Sequence, residues 1–512
     1  MDITRRTALG AIALLLPRKS AAQQSFNFGI QPGPFAGTRE SLAHWEAPRW
    51  FRDAKFGIWA HWGPQSGIEA GDWYARNMYM QGSEQYKYHV EHFGHPSRVG
   101  YKDLIPRWKA DRFDPERLMK LYKQAGAKYF VTMGVHHDNF DLWNSKYTRW
   151  NAVKMGPKRD VVGQFRKAAL KEGLPFGVTE HLWITYKWFS TSHGSDKTGS
   201  MAGVPYDGAN PRFADLYCDC PKVYTDLPWN EVGIPDSWRQ HWYRRIKDLV
   251  DNYQPDLLYT DGPLPFEEYG LNQVANLYNL SAKRHGGTTQ AVYTSKRRED
   301  CASGTCILDV ERGIVDNIWP EPWQTDTSVG DWHYRANDHY KSPKTVVDML
   351  VDIVSRNGNL LLNFPLPNNG ELDATEYMVL QEITKWMAVN SEGIYASRPW
   401  KVFGEGPGTA KPKTESASFN EDKRKDLTAS DVRFTRKGET LYAFIMGWPA
   451  KEAVIPALGA RARTRPGKIA NVELLGYGGK LQWRQESTGL HVELPAQKPC
   501  DYAITLKIAG AV

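Results

Sequence analysis

From residue 50 to about 395, short continuous apolar runs alternate with segments whose apolar residues recur every three or four positions. The runs predict strands at 56–61, 129–134, 175–181, 256–261, 290–295, 307–311, 323–327 and 359–364. Runs with little polar alternation suit strands that helices cover on both faces. Helical spacing predicts helices at 115–124, 161–172, 237–252, 273–284 and 345–356. The first of these places Leu118, Leu121 and Tyr122 on one side, and the last stops at Asn357-Gly358, a C-terminal stop signal. Eight strands alternating with helices predict an α/β fold, a (β/α)8-like barrel of the TIM type. A doubly wound open sheet is the competing reading, but no G-x-G-x-x-G follows the first strand.

Two stretches interrupt this rhythm. Residues 188–235 are rich in Ser, Gly, Asp and Pro without a clear period, which predicts an insertion over one end of the barrel. After a helix at 375–388, Ser397-Arg398-Pro399 and the polar tract 405–426 mark a boundary. Beyond it the period shortens to two, with strands at 431–436, 441–446, 471–475, 490–494 and 502–507. That pattern predicts an antiparallel β-sandwich domain over residues 396–512, following a barrel domain over 23–395.

The first 22 residues form a third unit. Thr4-Arg5-Arg6, the apolar run Ala8 to Leu16 and the small residues Ser20-Ala21-Ala22 read as a twin-arginine signal peptide, which predicts a bacterial periplasmic or secreted protein. The chain has 512 residues, 24% of them charged, and its mean hydropathy is −0.57. No later stretch approaches the roughly 18 apolar residues of a membrane span. Of the net charge of +7, three units sit in residues 1–22, and no Lys/Arg run forms a basic arm, so a nucleic-acid partner is not expected. Five cysteines show no C-x-x-C spacing for structural zinc; Cys301 and Cys306 are spaced to close a small loop.

In a barrel the chemistry gathers at the carboxyl ends of the strands. Those ends carry His61, His136 with His137, Glu180 with His181, Asp261, Lys296, Glu311, Asp326 and Asn363. In Pro255–Gly262 an apolar strand delivers the Asp261 carboxylate at its tip, and Gly262 lets the chain turn away. Glu311 is its natural partner, since a pair of carboxylates on one barrel mouth suits glycosidic cleavage. His136-His137 are read as hydrogen-bonding residues rather than metal ligands, because neighbours on a strand point to opposite faces unless the strand has ended. Trp73, Trp143, Trp319 and Trp323 fall near the same tips. With 20 Trp and 25 Tyr in the chain, most aromatic residues are assigned to the core.

Several motifs resemble those of the family 29 α-L-fucosidases. They are Trp50 to Gly63 (WFRDAKFGIWAHWG), Trp73-Tyr74-Ala75-Arg76-Asn77-Met78-Tyr79, Gly126-Ala127-Lys128-Tyr129 and His136-His137-Asp138-Asn139-Phe140 with Trp143. Gly156-Pro157-Lys158-Arg159-Asp160, Pro255–Gly262 and Asn357–Asn363 complete the series, in order from about residue 45 to 395. The resemblance implies a barrel followed by a β-sandwich and retaining exo-hydrolysis of terminal α-L-fucose from a fucosylated glycan, without metal or organic cofactor. It implies Asp261 as nucleophile, Glu311 as acid/base with Glu321 in reserve and Glu267 and Glu268 as outsiders, and His61, His136, His137 and Trp73 as sugar-binding residues. The chain departs from the family pattern in three places. Asp72 stands where many relatives have Glu, Glu180-His181 follow the Gly-Val pair of their strand where many have Tyr, and Lys296 lies near an Arg of some relatives. Asp72, Glu180 and Lys296 are therefore included among the substrate-binding candidates. Two other readings compete: a fucose-binding protein without catalysis, and a glycosidase of the same scaffold for a related sugar such as an α-galactoside.

Overall fold

The structure is a computed structural model describing residues 26–302, 304–410, 418–424 and 426–512. The signal peptide expected at residues 1–22 lies outside the described residues. Eight parallel strands form a closed barrel: β1 (Phe56–Ala60), β2 (Tyr129–Val135), β3 (Phe176–Glu180), β4 (Leu257–Thr260), β5 (Val292–Ser295), β6 (Ile307–Asp309), β7 (Trp323–Ser328) and β8 (Gly358–Asn363). Each pairs with the next, and β8 returns to β1 through Gly57 opposite Leu361. All eight predicted strands are present. Burial on both faces explains why they read as continuous apolar runs: β1, β2, β4 and β8 are buried along their whole length. The predicted helices also form, among them Pro115–Gln124, Asp236–Tyr253 and Pro343–Ser355. Asp114 and Ser342 cap the first and last by accepting backbone N–H bonds. No helix of the described residues is long and apolar enough to cross a membrane.

The sandwich domain has two antiparallel sheets. The larger runs β13 (Asn471–Leu474), β16 (Ile504–Ala509), β11 (Thr440–Ile445), β10 (Val432–Lys437), β9 (Arg398–Glu405). The smaller runs β12 (Glu452–Ile455), β15 (Leu490–Glu493), β14 (Gln482–Gln485). Three of these, β9, β12 and β14, were not predicted. All three are sheet edges, where Pro399 in β9 and charged residues are tolerated because one side of the strand pairs with nothing. Their polarity hides them from a reading based on apolar alternation.

A buried charge cluster ties the two domains together. Asp352, on the helix Pro343–Ser355, accepts bonds from Arg356 on the barrel side, from Arg424, and from Arg433 of β10 at 2.5 Å. Burial opposes the charge on this carboxyl, but three guanidiniums outweigh it and hold it far below the usual carboxylate range. Asp352→Ala leaves buried cations facing one another, so a loss of about 3–5 kcal/mol is expected. Denaturant unfolding of the full chain would read it as a lower midpoint, and an unchanged midpoint would show that the cluster contributes nothing net.

Candidate active site

At the carboxyl ends of the strands the barrel opens into a cavity of about 680 Å³. Its polar face is built by the pleat. On β4 the side chains alternate, so Tyr259 and Asp261 face the lumen while Leu258 and Thr260 face the helix layer. On β1 the same parity brings Trp59 and His61 inward, and both line the cavity. The strand β2 ends at Val135, which frees His136 and His137 from alternation. Both rings reach the site: His136 lines the cavity and His137 Nε2 lies 3.3 Å from Asp261.

The carboxylates centre on one ammonium. Lys296, just past β5, lies 2.8 Å from Asp261 and 3.6 Å from Asp326, and is also bonded to Glu311. Glu311 stands two residues beyond β6 and is positioned by the next N–H, that of Arg312, which bonds the Asp326 carbonyl at 2.8 Å. Tyr259 donates its hydroxyl proton to Asp326 at 3.0 Å. Behind these groups Asp309 is buried against Asp326 and held well above the usual carboxylate range, first by burial and then by that neighbour.

The two leading carboxyls are pushed in opposite directions. Burial disfavours the ionised form of both. At Asp261 the charge of Lys296, then His181 and His137, outweighs burial and holds the group well below the usual range. At Glu311 burial wins: Lys296 pulls down, Asp326 and Asp261 push up, and the carboxyl rises to about 7. Lys296 itself, despite burial, is held above its ordinary value by Asp261, Asp326 and Glu311.

Asp72 follows the first strand on a loop and accepts a 2.6 Å bond from His333 Nδ1. Trp73, at φ 58°, turns its ring into the cavity beside Trp229 and His137. Both nitrogens of His61 and the Nε2 of His333 are buried and, among the described residues, without a hydrogen-bond partner. A buried unpaired polar atom costs about 1–3 kcal/mol, so such a ring of nitrogens suits a ligand rich in hydroxyls. Two groups also have ligand atoms close enough to hold a metal ion, His61 with Asp72, His136 and His333, and His136 with His137 and His181. In them Nδ1 of His136 is engaged by Gln65, and Nδ1 of His137 by the His181 carbonyl. These partners fix which nitrogen each ring presents to the cluster, as they do for hydrogen-bonding and for metal-ligating histidines alike.

One candidate is corrected. Glu180 is not in the cavity. It ends β3 on the opposite parity from His181, and its carboxylate lies under the helix Asp236–Tyr253, accepting bonds from Trp242, Thr260 and the Leu182 amide. The lumen position belongs to His181, whose Nδ1 is 3.1 Å from Asp261. Of the tryptophans read near the tips, only Trp73 lines the cavity. Trp143 bonds Asp248 at 3.1 Å and Trp323 bonds the Arg356 carbonyl at 2.9 Å, both within the packed layers, while Arg298 covers Trp319. The reserve acid Glu321 and the outsiders Glu267 and Glu268 are exposed and outside the cavity.

Sequence reasoning missed Trp59 and Tyr259, although counting back two residues from His61 and Asp261 finds both. It also missed Trp229, from the stretch 188–235, and Trp332 and His333, from the loop after β7. No local signal marks these three. The disulfide Cys301–Cys306 closes the loop between β5 and β6.

Comparison with known proteins agrees with this architecture. The family model for alpha-L-fucosidase matches residues 23–392, and that for the alpha-L-fucosidase C-terminal domain matches residues 424–509. The tissue alpha-L-fucosidase of Homo sapiens is 27% identical over 526 residues, spanning 99% of this chain and 98% of that protein. The plasma alpha-L-fucosidase of Homo sapiens is 28% identical, over 93% of each. Among solved structures, the Thermotoga maritima alpha-fucosidase in complex with fucose superposes with a TM-score of 0.69 at 25% identity, covering 93% of this chain and all of that one.

Proposed function

The chain belongs to the α-L-fucosidase family of glycoside hydrolases, and from that premise we propose that it removes terminal α-L-fucose from glycans with retention of configuration, Asp261 acting as nucleophile and Glu311 as acid and then base. The observation that carries this reading is the ammonium of Lys296 shared by two carboxyls of opposite character. A pair of titratable groups driven apart by their surroundings divides into acid and base roles. Two carboxyls in contact with one ammonium have facing oxygens no more than about 6 Å apart by ordinary contact lengths. That agrees with the ~5–5.5 Å of retaining enzymes better than with the ~6.5–9.5 Å that leaves room for water.

In the first step Asp261 attacks the anomeric carbon and the bond to the leaving oxygen breaks as Glu311 donates its proton to that oxygen. In the second, the Glu311 carboxylate takes a proton from water, whose oxygen attacks the anomeric carbon and releases Asp261. Lys296 keeps Asp261 ionised for the first attack. The unpaired nitrogens of His61, which lines the cavity, are positioned to bond ring hydroxyls, bonds that strengthen as charge develops on the sugar. The rings of Trp59, Tyr259 and Trp332 form an apolar floor, with Trp59 5.3 Å from each of the other two. Such a floor suits the C6 methyl of fucose and disfavours the hydroxymethyl of L-galactose, which differs from L-fucose at C6 alone. The leader at 1–22 is proposed to direct export, and the disulfide agrees with an oxidising compartment.

The reading is tested by release of 4-nitrophenol from its α-L-fucoside, with the α-D-galactoside as control and the anomer of the first sugar released read by NMR. Release of α-L-fucose is expected; β-L-fucose as first product would refute retention. The pH profile is a further expected result. Glu311 is protonated below about 7, so kcat/KM falls as pH rises through that value. Asp261 stays ionised well below the usual carboxylate range, so it causes no loss between pH 5 and 7. A profile flat to about pH 9 would remove Glu311 from the acid role.

A further inference from the structure

Glu311 carries more than its own side chain. Its carbonyl accepts the amide N–H of Phe419 at 2.8 Å, and the carbonyl of Arg312 accepts those of Asn420 and Glu421 at 3.1 and 3.0 Å. Residues 419–421 lie far along the chain, between β9 and β10, yet they dock on the backbone just past β6 as a turn that leads into a short 3-10 helix.

The anchoring of this segment is polar and dense. Asn420 exchanges two 3.1 Å bonds with the backbone of Ile314. Glu421 pairs with Arg312 at 3.0 Å and Lys341 at 3.1 Å, and accepts the Thr327 hydroxyl at 2.7 Å. Asn420 is 1% exposed and Glu421 9%, whereas Phe419 between them and the cavity is 63% exposed. Two polar residues are thus buried and the aromatic one is left in solvent, the reverse of the usual distribution. Phe419 also adopts φ 54°, a left-handed conformation that non-glycine residues rarely hold without surrounding structure to impose it. The ring lines the catalytic cavity at its rim.

The side of the cavity on which it stands gives the ring a purpose. A general acid protonates the leaving oxygen, so the acid marks the side from which the leaving group departs. Asp261, with His137 and His181, marks the opposite side. We propose that Phe419 is a leaving-group platform: its face stacks against the apolar C–H face of the saccharide that carries the fucose, and it sets preference among natural glycans. This assignment rests on Glu311 acting as the acid. The segment that holds the catalytic tip beyond β6 thereby also builds the subsite next to it, and a loop of the sandwich domain supplies a binding surface.

The experiment compares two substrates in the wild type and in Phe419→Ala and Phe419→Trp. One is α-L-fucosyl fluoride, whose leaving fluoride is too small to reach the ring. The other is the fucosylated disaccharide that the wild type cleaves best among α-1,2-galactose, α-1,3- and α-1,6-N-acetylglucosamine linkages. The quantity read is the ratio of kcat/KM on disaccharide to kcat/KM on fluoride. Loss of one aromatic stacking contact is expected to lower that ratio about three- to tenfold in Phe419→Ala, with Phe419→Trp within about twofold of wild type by the same contact. Free leaving-group sugar should inhibit wild type more strongly than Phe419→Ala. An unchanged ratio in an active Phe419→Ala overturns the platform alone, and so does a lowered ratio with unchanged inhibition by the free leaving-group sugar, because a residue that merely positions Glu311 would also slow the disaccharide more than the fluoride but would not alter binding of that sugar. A wild type silent on both substrates overturns the proposed function, and the platform with it.

Discussion

Asp261→Ala is expected to lower kcat/KM on 4-nitrophenyl α-L-fucoside by about four orders of magnitude or more, as removal of a nucleophile does in other two-step hydrolases. The argument starts from the strand. β4 is an apolar run buried on both faces, and its last inward position delivers this one carboxylate to the cavity. Lys296, His137 and His181 surround it at 2.8 to 3.3 Å. Asp326, the other carboxyl on that ammonium, lies farther from it at 3.6 Å and lacks the two histidines, so it is not expected to substitute. The fold should survive, because Lys296 retains Glu311 and Asp326 as partners. Added azide provides a positive readout: it displaces the leaving group directly from the unfilled face and yields β-L-fucosyl azide, with inversion. Residual hydrolysis within tenfold of wild type, by a folded variant, would place the nucleophile elsewhere.

Glu311→Ala separates the two chemical steps. A general acid contributes about 10²–10⁴-fold, and only where the leaving group needs a proton. Hydrolysis of a fucosylated disaccharide is therefore expected to fall by that range. Hydrolysis of α-L-fucosyl fluoride, whose leaving group needs far less protonation, should fall much less in its first step. The glycosyl-enzyme then accumulates for want of a base, which appears as a burst. Azide intercepts it without base assistance and gives α-L-fucosyl azide, with net retention. The two variants thus yield opposite anomers of the same product, a distinction that loss of folding cannot imitate. Equal losses on both substrates would move the acid role away from Glu311. The exposed Glu321, outside the cavity, gives that outcome no obvious alternative.

The opposing behaviour of the two carboxyls has one physical origin. Burial alone raises both, and a single buried cation is shared between them. Asp261 receives two histidines in addition, so attraction exceeds burial. Glu311 faces Asp326 and Asp261 across the same ammonium, so repulsion adds to burial. The proposed assignment of acid and nucleophile follows from which side of Lys296 the histidines occupy.

Much of this was legible in the sequence, and the division follows a physical rule. Barrel strands are buried on both faces, so each announces itself as an apolar run bounded by polar tips, and the tips are where the site lies. His61, Asp261, Lys296 and Glu311 could therefore be read off as strand ends, without knowledge of packing. Glu180 failed at the same step. A tip has two faces, and a shift of one residue sends a side chain to the helix layer instead of the lumen, which the run of apolar residues does not encode. The sheet edges β9, β12 and β14 escaped because one-sided burial permits polar residues and proline.

What the sequence determined by itself is the barrel, the sandwich beyond it, and the carboxylates, histidines and lysine delivered by strand ends, because these rest on local periodicity and local termination. What only the tertiary structure decided is how they meet: Lys296 between two carboxyls, His181 rather than Glu180 in the lumen, His333 on Asp72, and Phe419 on the backbone of Glu311. Those contacts join residues up to 261 positions apart, and their formation depends on the closure of β8 onto β1 and the docking of distant loops. No local pattern carries that information, since the energy that selects it is released only when the whole barrel closes.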